Sequence, residues 1–266
     1  RAFKAGYFAI LYNFIVMGWV INAMASIVSV MLDMDKWTAV WLCVVIALVY
    51  AILSGFWGVV VTDLVQFVIA MFGSITLAII ALNHVGGMET LLGKLSEYTN
   101  TDVVNKNTLK FIPPIPDAGL TTSIFWESPF SKFLIFISVM WWSHHGTDGG
   151  GYIIQRMSSA KNERHALLAT LWYNLAHYAL RVWPWIIVAI VSIVMFPIIP
   201  ENYAELGTKA GYPLVMNTLL GPGLKGILIV SFLAAFMSTI DTHLNWGVSY
   251  LINDIYKRFY KPNESE

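Results

Sequence analysis

Long apolar runs broken by polar joints dominate the chain. A helix that crosses a bilayer needs about 20 mostly apolar residues. Six stretches satisfy that: residues 7–32, 37–57, 60–82, 131–152, 167–196 and 224–251. The second, WTAVWLCVVIALVYAILSGFW, carries no ionisable group beyond a thiol and a phenol. One such run could be a buried helix of a soluble protein, but six within 266 residues predict an all-α membrane protein with six transmembrane helices. The joints are of two kinds. LDMDK and the turn around Gly55–Gly58 are short, whereas residues 84–130 and 197–223 hold most of the prolines. The long joints are expected to be water-exposed loops, because irregular backbone facing lipid leaves amides unsatisfied. The first should hold a short surface helix at 88–98, followed by the proline-rich FIPPIP.

Composition agrees with this pattern. Charged residues make up 12% of the chain, about half the roughly 25% of soluble domains. Sixteen basic and sixteen acidic residues cancel, which leaves no excess charge for a nucleic acid and excludes that partner. Cys43 stands alone, so neither an internal disulfide nor a cysteine metal site can form. The chain opens at Arg1 without a signal pattern and reads as a piece of a longer protein. Eight basic residues (Arg1, Lys4, Arg156, Lys161, Arg164, Lys257, Arg258 and Lys261) collect at one set of span ends. By the positive-inside rule that side is cytoplasmic. Both ends of the chain then lie in the cytoplasm, and the long joints are extracellular or periplasmic.

Ionisable residues within spans are costly and usually face a cavity or a partner. Asp63 lies in VVVTDLVQF, and Arg181 sits midway along HYALRVWPW, just before Pro184, which is expected to kink its helix. Arg181 must pair with an acid or a helix carbonyl, or face water or a solute oxygen. The fourth span ends in WWSHHGTDGGGYIIQR. Its glycines each weaken a helix by about 1 kcal/mol, so it either unwinds into a ligand site or simply ends in a cytoplasmic turn. His144 and His145 point about 100° apart on a helix and converge poorly on one metal, even with Asp148 nearby. In AAFMSTIDTHLNWG, Ser238, Thr239, Asp241 and Thr242 bring three hydroxyls and a carboxylate onto little more than one turn. They can bind a hard cation or bond back to their own helix.

AAFMSTIDTHLNWGVSYLINDIYKRF strongly resembles the signature of the sodium/solute symporter family, and TDLVQF and GYIIQRMSSAKNE resemble two further motifs of it, in the same order. The resemblance covers essentially the whole chain. It implies a core of two inverted repeats of five helices, with a broken-helix site, in which the six spans are core helices three to eight. Helices one, two, nine and ten would lie outside this chain. Carried over by position, the Ala235 carbonyl and the Ser238 and Thr239 hydroxyls match half of the main sodium site. Asp63, Asp241 and Thr242 match a second cation site or the sodium path. Arg181 falls where sugar carriers have a solute-contacting lysine. Gly150 and Gly151 replace their polar gate, and Tyr152 keeps the aromatic position near the cytoplasmic exit. His145 lies in the same solute region.

These residues lead to one expectation and two competitors. The chain should take part in sodium-coupled symport of a small polar organic solute (a sugar, an acidic sugar or a carboxylate-bearing metabolite) across the plasma membrane, with a bacterial inner membrane favoured. Its partners would be sodium ion, the solute, the lipid bilayer and the missing helices. The competitors are a symporter-like sensor domain of a signalling protein and a membrane metalloenzyme.

Overall fold

A computed structural model describes residues 2–53, 56–97, 109–117, 119, 121–140 and 151–261, and every regular element among them is helical. In chain order these are α1 (Ala2–Leu32), α2 (Lys36–Leu53), α3 (Phe56–His84), α4 (Gly87–Glu97), α5 (Ser123–Glu127), α6 (Pro129–Met140), α7 (Gly151–Ser158), α8 (Glu163–Met195), α9 (Glu201–Ala210, a 3-10 helix), α10 (Gly211–Leu219) and α11 (Pro222–Phe259). Among the described residues four stretches are long and apolar enough to cross a membrane: Ala2–Leu32, Asp63–His84, Glu163–Met195 and Pro222–Phe259. The second and fourth expected spans give shorter apolar helices, Lys36–Tyr50 and Pro129–Met140. Residues 54–55 and 141–150, within or next to those two expected spans, lie outside the described residues.

The chain divides into two compact units. One comprises residues 1–87 and 173–266, the other Met88–Trp172. In the second unit Thr122 and Ser128 cap α5 and α6, accepting from the amides of Phe125 and Ser131. Pro129 occupies the first turn of α6, where its missing N–H costs nothing.

The first unit is built around α11, which packs against α1, α2 and α3. Small residues let these helices approach, as is usual between membrane helices. Ala39, Cys43 and Ala47 recur every four residues along α2, all buried. They meet Met24, Ala25 and Val28 of α1 and Phe236 and Ile240 of α11 in one core. The outward faces are apolar too: Phe14, Ile15, Trp41, Val45, Val68 and Phe72 are all exposed. Helices in lipid carry such faces without penalty.

The LDMDK joint is a shaped turn. Asp33 ends α1 in the left-handed region at φ 50°. Asp35 caps α2, its Oδ1 accepting from the amides of Trp37 at 2.9 Å and Thr38 at 3.0 Å. The Thr38 hydroxyl donates to the same carboxylate, and these bonds hold the Asp35 carboxyl below the ordinary carboxylate range.

The 197–223 joint departs from an open, water-exposed loop. It folds into α9 and α10, and Gly211 and Pro213–Met216 are buried. Leu214, Val215 and Met216 give α10 an apolar surface, and α10 packs on α1, α8 and α3. Tyr203 pins α9 by donating to Asp33 Oδ1 at 3.0 Å.

Gly73 marks the tightest approach of α3 to α11, because a Cβ there would overlap the Leu228 side chain. Gly73→Ala should therefore lower the stability of the full-length protein by roughly 1–3 kcal/mol. Adding Leu228→Ala should recover part of the loss that Gly73→Ala alone causes. Thermal unfolding in detergent checks both; an unchanged midpoint for Gly73→Ala would mean that Leu228 gives way freely.

Candidate functional site

The oxygens singled out in the sixth apolar stretch lie on α11, whose α-helical part runs unbroken from Pro222 to Tyr250. Ala235, Ser238, Thr239 and Thr242 follow i, i+3, i+4, i+7 spacing and so share one face. Ala235 is exposed, and Ser238, Thr239 and Thr242 are half-buried. The Thr239 hydroxyl donates to the Ala235 carbonyl at 2.8 Å. This is the bond back to its own helix, one of the two alternatives open from the sequence, and it leaves two of the three oxygens assigned to the main cation site adjacent. Hydroxyl and carbonyl oxygens suit a hard monovalent cation without a full buried charge.

Asp241 points elsewhere. It is 2% exposed, and its Oδ2 accepts from Asn245 Nδ2 at 3.1 Å, one turn along α11. Asp63 of α3 is half-buried, and three residues on, Gln66 has a buried Oε1 without a hydrogen-bond partner among the described residues. Among those residues no three His, Cys, Asp or Glu side chains gather as a metal site. His144, His145, Asp148 and Gly150 lie outside the described residues. Gly151 begins α7 in the second unit; Tyr152 follows it, its side chain also outside the description.

Arg181 lies at the junction of two helix types. Residues Leu175–Leu180 form a π-helical turn, and the α-helix resumes at Val182. The Arg181 amide accordingly reaches back five residues, to the Ala176 carbonyl at 3.0 Å. Pro184, expected to kink the helix, is buried in the first turn of the resumed α-helix. The wider turn before it makes room where the ring would press on the preceding backbone.

The guanidinium belongs to a ladder along one side of α8. Tyr173 stacks on His177 at 5.2 Å between ring centres. Arg181 Nη2 donates to His177 Nε2 at 3.3 Å. Arginine can only donate, so this imidazole accepts at Nε2 and is neutral. On its other side the guanidinium lies 4.9 Å from the Trp185 ring centre, a cation–π contact. Trp185 Nε1 donates to Ser74 Oγ of α3 at 3.2 Å. Arg181 Nε is buried and has no hydrogen-bond partner among the described residues.

Trp185 also lines a cavity of about 450 Å³, together with Trp19, Asn22, Lys209, Tyr212 and Phe232. The cavity is largely apolar with a few polar groups on its wall, the usual composition of a small-molecule site. Burial pushes the Tyr212 phenol up to about 12, against a smaller opposing pull from the Ser74 hydroxyl. Tyr212 therefore stays neutral, a hydrogen-bonding group with no charge.

Sequence reasoning passed over two buried polar residues. Asn13 of α1 and His243 of α11 are 2% and 8% exposed and bond to one another. As polar residues inside apolar stretches they were visible, but a pair 230 residues apart leaves no pattern to read. The ladder did leave one: Tyr173, His177, Arg181 and Trp185 recur every fourth residue.

The mouse (Mus musculus) sodium/glucose cotransporter 1 is 28% identical over 89% of this chain and 38% of its own length. The mouse sodium/myo-inositol cotransporter is 26% identical over 88% of this chain and 35% of its own. The sodium/mannose cotransporter SLC5A10 of Bos taurus is 24% identical over 91% and 42%. The chain thus spans about two fifths of these relatives. The profile of the sodium:solute symporter family matches residues 5–266, and with its several apolar helices the chain is part of a multi-pass membrane protein belonging to that family.

Proposed function

We propose that this chain forms the central part of a sodium-coupled symporter for a small polar organic solute, working by alternating access. The observation that carries the reading is the oxygen stripe of α11, with Ala235 O and Thr239 Oγ1 2.8 Å apart on a face turned away from the core. A missing helix packed on that face would supply the remaining ligands. In this reading the chain has six spans from a five-plus-five inverted repeat, lies in the plasma membrane and keeps both ends in the cytoplasm. The cotransporter relatives favour it over a sensor domain.

Asp63 belongs to the second cation site or the sodium path on this reading. It lies ten residues before Gly73, and Ser238 lies ten residues after Leu228, which Gly73 touches. At 1.5 Å per residue each is about 15 Å along its helix from that contact. If the two helices run antiparallel, as alternating spans require, both fall at one depth. Asp241 and Thr242 would serve the same path. Sodium entry supplies the work: one positive charge crossing 100 mV releases about 2.3 kcal/mol, or about 50-fold in accumulation. Coupling then requires that sodium favour the state that accepts solute from outside.

Arg181 reads the solute. His177 and Trp185 hold the guanidinium, and its Nε is left to reach a solute oxygen. A planar fork of donors suits a carboxylate better than a neutral hydroxyl. An acidic sugar or other carboxylate-bearing metabolite is therefore the preferred class over a plain hexose. By the family resemblance, Gly150, Gly151, Tyr152 and His145 are solute-site candidates from their sequence position.

Two experiments on the full-length protein test the reading. Ser238→Ala and Thr239→Ala should each raise the sodium needed for half-maximal uptake, roughly tenfold for a lost ion ligand; an unchanged half-saturation in both would remove the sodium assignment. For the solute, a thermal-shift screen of glucose, mannose, myo-inositol and glucuronate, with and without sodium, should favour glucuronate. Arg181→Gln should then weaken its binding about tenfold or more by calorimetry, the scale of a charged hydrogen bond, with sodium binding intact. Unchanged glucuronate affinity would return Arg181 to a structural role.

A further inference from the structure

We infer that Asn13, His243 and Gly247 form a lock that sets the rotation of α11, and that Asn13 and His243 act as positioning residues for the sodium ligands. The inference rests on the sodium reading of Ser238 and Thr239 proposed above. Asn13 Nδ2 donates to the His243 carbonyl at 2.9 Å, and His243 Nδ1 lies 2.9 Å from Asn13 Oδ1. An amide oxygen can only accept, so Nδ1 carries the proton and the two residues are joined by two hydrogen bonds of opposed direction. The rings of Tyr12 and Trp246 stand 6.5 Å and 6.1 Å from the imidazole and shield it. Buried in this way, the two hydrogen bonds are stronger than they would be in water.

Gly247 is what lets Asn13 reach the main chain of α11. A Cβ at that position would sit 2.5 Å from Asn13 Nδ2 and 3.3 Å from the Ala9 carbonyl oxygen. Any larger residue would push the amide off the His243 carbonyl. Three residues from the two ends of the chain thus meet in one arrangement.

The lock bears on the cation site through geometry. His243 is one turn past Thr239 on the same helix, about 6 Å along the axis. Toward the middle of the α1–α11 contact, Phe236 and Ile240 lie against Met24, Ala25 and Val28. Apolar contact has no direction of its own, so by itself it specifies the rotation of α11 less sharply than a hydrogen bond does. A turn of about 20° carries an oxygen about 5 Å from the axis through nearly 2 Å, enough to break an ion's coordination. The paired hydrogen bonds have one register only, so they fix the angle at which Ala235, Ser238 and Thr239 face outward.

The test uses purified full-length protein titrated with sodium chloride against choline chloride, without solute, reading sodium-dependent thermal stabilisation. Asn13→Ala and His243→Ala should raise the half-saturating sodium about three- to tenfold, the scale of one buried hydrogen bond. His243→Asn, whose amide nitrogen can take the place of Nδ1, should restore it to within about twofold of wild type. Gly247→Ala crowds the Asn13 amide without deleting a polar group, and should shift sodium the same way if either truncation fails to fold. A half-saturation unchanged in Asn13→Ala and Gly247→Ala, whatever their melting temperatures, overturns the lock. Ser238→Ala in the same titration separates the two ideas. If it shifts while the lock variants do not, only the lock fails; if nothing shifts, the sodium reading fails and takes the lock with it.

Discussion

The approach of α11 to its neighbours through residues with little or no side chain is the constraint on which the first unit depends. Ala39, Cys43 and Ala47 bring α2 close, Gly73 admits Leu228 against α3, and Gly247 admits Asn13 of α1. Lipid chains are as apolar as leucine, so burying a large apolar side chain gains little inside a membrane, whereas close contact gains dispersion and shorter hydrogen bonds. Much apolar bulk accordingly points outward, as Trp41, Val45, Val68 and Phe72 do, while small groups such as Ala39, Cys43 and Ala47 let larger ones such as Phe236 and Ile240 fill the seams. Everything proposed about cation binding presupposes this arrangement, because the hydroxyl stripe lies on the helix that the seams hold.

Much of the fold was legible in the sequence, and the parts that were not have physical reasons. Runs such as WTAVWLCVVIALVYAILSGFW announce helices because nothing in them could satisfy a backbone outside a helix. The shared face of Ala235, Ser238, Thr239 and Thr242 follows from spacing alone. The α9–α10 segment was hidden because its tyrosines, glycines and prolines suggest a loop, and only the surfaces of α1 and α8 give Leu214, Val215 and Met216 a place to be buried. The π-helical turn at Leu175–Leu180 was equally invisible. Pro184 announces a disturbance in its helix, but whether that becomes a kink or a wider turn depends on packing.

The candidate site divides along similar lines. Single-residue chemistry was readable: an arginine far from either end of an apolar stretch must be accommodated by something. The manner was only partly readable, since His177 and Trp185 at four-residue spacing signal contact with Arg181, while Ser74 and Tyr212 come from elsewhere in the chain. Asn13 with His243 was not readable at all. Neither residue predicts the other, and their bond exists only because a glycine one turn away leaves the space.

The state of each polar group then separates scaffold from site. A buried polar atom without a partner costs about 1–3 kcal/mol, so folds complete such atoms unless another molecule is to do so. Asn13 and His243 complete one another and hold α1 and α11 in register. Arg181 is different. Its guanidinium is braced by an imidazole that accepts from Nη2 and by an indole tied to α3, yet its buried Nε has no hydrogen-bond partner among the described residues. Bracing without completion is the signature of a preorganised ligand group, since the entropy of fixing the side chain is spent before the ligand arrives. The α11 stripe differs, and its cation role belongs to the proposed reading. The Thr239 hydroxyl is held on the Ala235 carbonyl, and that oxygen pair lies on a face the described residues leave uncovered. On the proposed reading, Arg181 on α8 would meet an anionic solute and the stripe on α11 a cation, each held through contacts to α1 or α3, so that one helical scaffold would sense both.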